Sequence, residues 1–204
     1  MNKHAAVLSL ALIAGAAGAS TVQVQTGNYT DAANFTTGAA YKTAVDAAVT
    51  TSTWLTSADF ITIAQSNYAV KATVTFAAPS AGDDWTFRAG VDLGKGGAIY
   101  LDGVLEEVVS NNMWWSYGYN DATQYFEFSA NDLSAGGHTL TIYGVEDCCS
   151  GGDQIQYQVD GQSFVSFGAN DGLPAVPESQ SYAMLLAGLG LLATVARRQG
   201  RNNG

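Results

Sequence analysis

Three groups of residues in this sequence could do chemistry: two adjacent cysteines, carboxylates gathered at turns, and a dense aromatic run. Cys148 and Cys149 are the chain's two cysteines. Disulfide partners usually keep their Cα atoms about 4.4–6.8 Å apart, whereas a trans peptide holds neighbours at about 3.8 Å. A Cys148–Cys149 bond is therefore a tight ring that locks a sharp turn, and Gly151-Gly152 just beyond supplies backbone freedom. That ring is the expected state; two free thiols and a bond to another chain are the alternatives. Its expected role is structural, because acidic surroundings disfavour the thiolate on which reactive cysteines depend.

Asp83, Asp84, Asp92, Asp102, Glu146, Asp147 and Asp153 fall at the ends of expected strands or in loops. Carboxylates beside Gly-rich turns suit Ca²⁺, a hard cation that takes six to eight oxygens, although no linear calcium loop is present. The run Trp114-Trp115-Ser116-Tyr117-Gly118-Tyr119 lies between Asn111-Asn112 and Asn120-Asp121. Flat rings beside amide and acid groups could stack on sugars and bond their hydroxyls, which makes Trp114, Trp115, Tyr117 and Tyr119 candidate ligand contacts. Core filling is the competing reading: alternate strand residues would bury Trp115 and Tyr117, while adjacent tryptophans point to opposite faces.

Catalytic signatures are missing. There is no Gly-x-Ser-x-Gly elbow, no His-Glu-x-x-His pair and no phosphate-cradling loop. His138, the one histidine beyond the first few residues, opens a strand and is expected to be a surface or a hydrogen-bonded residue rather than a base. A non-catalytic protein is the expectation. The alternative is a polysaccharide hydrolase with two carboxylates brought together in space.

These residues need a scaffold, and the periodicity supplies one. Val70, Ala72, Val74 and Phe76 alternate with Lys71, Thr73 and Thr75, as a half-buried strand does. Further strands are expected over 22–25, 85–91, 98–101, 104–109, 124–128, 139–145, 155–159 and 162–167. Asp102-Gly103 and Asp160-Gly161 are two-residue hairpin signals, because a type I′ turn needs positive φ twice. Tyr41, Val45 and Val49 recur every fourth residue and suggest a helix over 39–49. Trp54 and Phe60 are expected to plug the core from loops. The fold class is all-β, a single β-sandwich or jelly roll.

The ends of the chain differ from this body. Lys3 and His4 precede an apolar run over 5–17, and Ala17-Gly18-Ala19 offers a small-x-small exit, so 1–19 is expected to be a signal peptide removed by signal peptidase. Residues 20–167 form the sandwich, and 168–181 a Gly/Pro/Ser-rich linker. In 182–204 an uncharged stretch over 182–196 is followed by Arg197, Arg198 and Arg201. As a helix it reaches about 22 Å against a hydrocarbon core of about 30 Å, a marginal transmembrane anchor with its arginines inside. The net charge is −10, and half of the eight basic residues lie in the end segments. A body this acidic excludes nucleic acid as a partner, because phosphates need Lys and Arg.

Val176-Pro177-Glu178, the apolar stretch and Arg197-Arg198 together resemble the PEP-CTERM sorting signal, with Ser179 where a second proline is usual. The resemblance implies export in a Gram-negative bacterium, transient inner-membrane anchoring, and processing by a transpeptidase-like enzyme, exosortase. Glu146-Asp147-Cys148-Cys149-Ser150-Gly151 after a strand resembles the CCxG group of such proteins, which has no assigned biochemistry. Trp85-Thr86-Phe87, then Ile99-Tyr100-Leu101-Asp102-Gly103, then 133–140 (LSAGGHTL) follow the order of PA14-like β-sandwiches. Those often bind carbohydrate, some through calcium, and this similarity implies that Asp92 and Asp102 face one metal site. The expected function is thus a cell-surface or extracellular-matrix protein with a structural or adhesive role. The alternative is a carbohydrate-binding module, calcium-assisted, with extracellular polysaccharide as partner.

Overall fold

The computed structural model describes residues 19–31, 35–62, 66–149 and 151–175. Strands β1 (Thr21–Asn28), β2 (Thr53–Leu55), β4 (Tyr68–Ala78), β7 (Gly97–Leu101), β8 (Val104–Val109) and β11 (Gly136–Glu146) form one sheet in the order β2-β1-β4-β11-β7-β8. Strands β10 (Tyr125–Leu133), β5 (Asp83–Gly90), β12 (Gly152–Val159) and β13 (Val165–Ser166) form a second, with β3 (Ile61–Thr62) beside β12. A short ladder joins β6 (Asp92–Leu93) to β9 (Met113–Trp114). The pairings are antiparallel, and the longest runs from Gly136↔Ala78 to Glu146↔Tyr68.

Between the two sheets lies a core whose inward residues come from both. Val22, Val74, Phe76, Leu140, Ile142 and Ile99 face Trp85, Phe87, Ala89, Ile155, Tyr157 and Phe126. Phe76 is fully enclosed and packs on Trp85, Phe87 and Phe167 with ring centroids 5.2–5.6 Å apart. Truncating such a ring to Ala costs about 3–5 kcal/mol, since the cavity adds to the lost transfer energy. Helix α1 (Gly38–Ala48) lies against the outer face of the first sheet. Thr37 caps its start by accepting the Ala40 N–H, and Tyr41 and Val45 bury against Ala69, Ala98, Tyr100, Tyr143 and Val145. The centre of this sheet is therefore covered on both sides.

Both expected hairpins are present, with Asp102 and Gly103 at φ 51° and 80°, and Asp160 and Gly161 at 49° and 70°. Trp54 and Phe60 do not plug the core: they are 66% and 57% exposed. The backbone beside Phe60 fills that role instead, with Ala58 fully enclosed and bonded to Phe167 and Ile155. The start of the expected linker also belongs to the domain. Gly168 bridges to Ser57, and the Asp171 carbonyl accepts the Tyr157 hydroxyl at 2.7 Å. No helix among the described residues is long and apolar enough to cross a membrane. Residues 1–18 of the expected signal peptide, Val176-Pro177-Glu178 and Arg197-Arg198 lie outside the described residues.

Candidate functional site

Four strands deliver their ends to one pole of the sandwich. β5 stops at Gly90 and leads to Asp92, β11 stops at Glu146, β12 starts at Gly152, and β7 starts at Gly97. The loops between them carry Asp92, Gly94, Asn112, Trp114, Glu146, Asp147, Cys148 and Cys149 around a cleft of about 390 Å³. That volume falls within the roughly 300–1,000 Å³ of small-molecule sites. The β6–β9 ladder pairs Asp92 with Trp114, so register alone places the indole beside the carboxylate. Trp114 is 65% exposed, whereas Trp115 is buried, with its backbone N–H on the Val91 carbonyl and its indole N–H without a hydrogen-bond partner.

Backbone N–H groups hold the carboxylates of this pole. Glu146 is 1% exposed and accepts the N–H of Gly94 at 2.6 Å and of Cys148 at 2.7 Å. Asp153 accepts the Asp92 N–H at 2.9 Å, and Asp92 accepts from Gly151. The described ion pairs lie elsewhere, with Lys42 and Lys71 on Asp46 and His138 on Asp102. Burial, then the neighbouring Asp92 and Asp147, pushes Glu146 up to about 7 against the two N–H bonds. Burial, then Asp92 and Glu146, raises Asp153 to about 7, and burial raises Asp92. Three acids share a space that favours their neutral forms.

Cys148 and Cys149 are joined as a ring at the cleft rim, with Cα atoms 3.8 Å apart. Cys149 itself takes the left-handed conformation, at φ 74°. Gly151 serves close approach: a Cβ there would stand 2.5 Å from the Asp92 carboxylate.

The structure separates Asp102 from Asp92. Asp102 closes the β7–β8 hairpin, with its carboxylate on the Thr139 N–H at 2.8 Å and on His138 Nδ1 at 2.7 Å. Thr139 and Glu146 lie seven residues apart on β11, about 23 Å of strand, so the two aspartates stand at opposite poles. Tyr117 is 61% exposed rather than buried, because β9 ends at Trp114 and the strand alternation ends with it. Tyr119 donates its hydroxyl to Gln154 at 3.0 Å and lies under the Arg88 guanidinium, 3.6 Å from its ring centroid. Asn112, one of the amides flanking the aromatic run, belongs to the cleft, placed there by its position directly before the β9 ladder.

For a divalent cation the fit rests on donor chemistry. Ligand atoms of Glu146, Asp147 and Cys148 lie within 4.8 Å of one another, but the Cys148 sulfur is tied to Cys149. What remains, with Asp92, is a set of carboxylate oxygens, which suits Ca²⁺ and not a thiolate-seeking metal.

The sequence matches no protein-family model, and no curated protein matches it. Solved structures do match. A PA14 sugar-binding domain from an RTX adhesin superposes with TM-score 0.51 at 11% identity, covering 78% of this chain and 100% of that one. The PA14 domain of the MpAFP antifreeze protein gives 0.53 at 12% identity, over 88% and 98%. The epithelial adhesin 6 A domain from Candida glabrata, solved with Galβ1-3GlcNAc, gives 0.52 at 6% identity, over 83% and 92%.

Proposed function

With the fold established as a PA14-like β-sandwich, we propose that this protein binds carbohydrate in the cleft at its acidic pole and so serves as a surface adhesin or matrix component. The observation that carries the reading is the exposed Trp114, paired to Asp92 and lining one cleft with Asn112 and Asp147. An indole face takes the apolar side of a sugar ring, and the amide and carboxylates take its hydroxyls. Two structures of the same fold support the ligand class, one described as sugar-binding and one solved with a disaccharide.

Calcium, where it assists, is held by Asp92 and Asp147, with Glu146 committed to its two N–H bonds, and would supply positive charge for sugar hydroxyls. Binding is favoured over hydrolysis because both Glu146 oxygens are committed to backbone N–H groups. The surface location rests on the sorting-type tail, Val176-Pro177-Glu178 with Arg197 and Arg198. The intact mass of protein from its native cell surface tests that part: loss of both end segments is expected, and retention of residues 182–204 makes it an ordinary anchored protein.

The test of function is a glycan array probed with the full chain and with Trp114→Ala, each in calcium and in chelator. Wild-type binding that falls about tenfold or more in Trp114→Ala is expected, a loss of about 1.4 kcal/mol. Silence of the wild type in both conditions overturns the reading.

A further inference from the structure

Across the glycine loop from the cleft, two large aromatics stand largely in solvent. Phe60 is 57% exposed and Tyr117 is 61% exposed, and their ring centroids are 5.8 Å apart, inclined by 35°. Both residues have left-handed backbones, Phe60 at φ 50° and Tyr117 at φ 62°. For bulky side chains that conformation is a genuine outlier, tolerated only where the surroundings over-determine it.

The surroundings do so here. Asp59, just before Phe60, accepts Gln154 Nε2, and β3 just after it pairs Ile61 with Asp153. Beneath the pair lies the buried Trp115, whose ring is 6.4 Å from Phe60 and 5.4 Å from Tyr117. Tyr117 also lies against Gly152, where a Cβ would stand 2.4 Å from its ring. Two strained segments, distant in sequence, are thus fastened so that their rings form one outward surface. The rings cover Trp115 and still leave more than half of each residue's surface to solvent.

This surface adjoins the cleft. Gly151 abuts the Asp92 carboxylate and Gly152 abuts Tyr117, and these neighbours are about 3.8 Å apart. A ligand passing from one to the other meets carboxylates and an amide first, then two ring faces. One class of molecule alternates hydroxyl edges with apolar faces along its length: a chain of sugars. The acidic cleft disfavours uronate or sulfated units, so the chain is neutral.

We propose that Phe60 and Tyr117 form a second stacking subsite, which makes the ligand a neutral oligosaccharide held over at least two consecutive residues. This rests on the reading of the cleft as a carbohydrate site. The test titrates the full chain, in calcium, with glucose, galactose, cellotetraose and β1,4-galactotetraose, following binding by calorimetry. Phe60→Asn and Tyr117→Asn are the variants, because Asn accepts the left-handed backbone and so removes the ring without straining the loop. A tetrasaccharide should bind about tenfold or more tighter than its monosaccharide, and each variant should lose most of that gain while keeping the monosaccharide affinity. Equal affinity for mono- and tetrasaccharide, or variants that bind the tetrasaccharide as the wild type does, overturns the subsite and leaves the cleft standing. Variants that lose the monosaccharide equally, with an unchanged melting temperature, make the rings part of the cleft itself and also overturn it. A wild type that binds none of the four removes the cleft reading and the subsite together.

Discussion

The two poles of this sandwich use the same side chain in opposite ways. At the pole of the β7–β8 hairpin three carboxylates fasten loops: Asp102 holds Thr139 and His138, Asp160 accepts the Asp84 N–H, and Asp83 takes the Ser80 hydroxyl. One of those acids has a histidine opposite. At the other pole Asp92, Glu146 and Asp153 crowd together, while Lys42 and Lys71 pair with Asp46 and the Lys95 ammonium goes to the Asp31 carbonyl. One pole is built for closure and the other leaves electrostatic potential unspent. A fold that can satisfy its carboxylates at one end has no structural need to crowd them at the other, and the proposed ligand end rests on this contrast.

The largest expected effect that could break this contrast lies at the closing pole. Asp102→Ala removes two hydrogen bonds, leaves the buried His138 ring without its carboxylate, and puts Ala at a φ of 51°. A cost of roughly 2–4 kcal/mol is expected. In a domain of this size that lowers Tm by about 2–4 °C per kcal/mol, with glycan binding unchanged. A loss of binding at unchanged Tm would place function at the wrong pole.

A pH titration should show the next largest effect. Glu146 and Asp153 bind their protons more tightly in the folded state, at about 7, than at their ordinary values of 4.5 and 3.8. The folded chain therefore holds protons that the unfolded chain releases, and stability falls as pH rises through this window. Tm should be highest near the lower end, drop by several degrees toward pH 7, and level off above it. Glu146→Gln with Asp153→Asn should flatten the curve, and calcium should restore stability at the upper end by favouring the ionised acids. A Tm that rises across the same window contradicts the crowding.

Reduction of Cys148–Cys149 should have the smallest effect on stability. The ring closes a minimal loop, so opening it removes about 1 kcal/mol or less of unfolded-state constraint, a Tm change of roughly 2–4 °C at most. Glycan binding should fall further than stability does, because the ring sits on the cleft rim and holds Cys149 at its left-handed φ. Mass analysis with alkylation before and after reduction checks the chemical state. Immediate alkylation would remove the ring from the account.

Much of the scaffold was legible in the sequence. The Val70–Phe76 alternation marked β4, and Asp-Gly marked both hairpins, because those signals are local. The pairing of Asp92 with Asp102 failed for a non-local reason. Both follow strand ends, but β5 and β7 run in opposite directions relative to β11, which sends their ends to opposite poles. Glu146 reaches Asp92 only through the register of β11, which no spacing reports. Hydrophobicity alone puts Trp54 and Phe60 inside, whereas the exposure of Phe60 depends on anchors far along the chain at Gln154 and Asp153.

The contrast between poles can be tested inside one spectrum. The chain has four tryptophans, and two of them are almost equally exposed: Trp114 at 65% in the cleft and Trp54 at 66% on β2. Indole N–H resonances of the full chain, followed while cellotetraose or β1,4-galactotetraose is added in calcium, compare the two directly. The account predicts a saturable shift of the Trp114 signal while Trp54 stays fixed. Movement of Trp54 alone, equal movement of both, or no movement of either would contradict it.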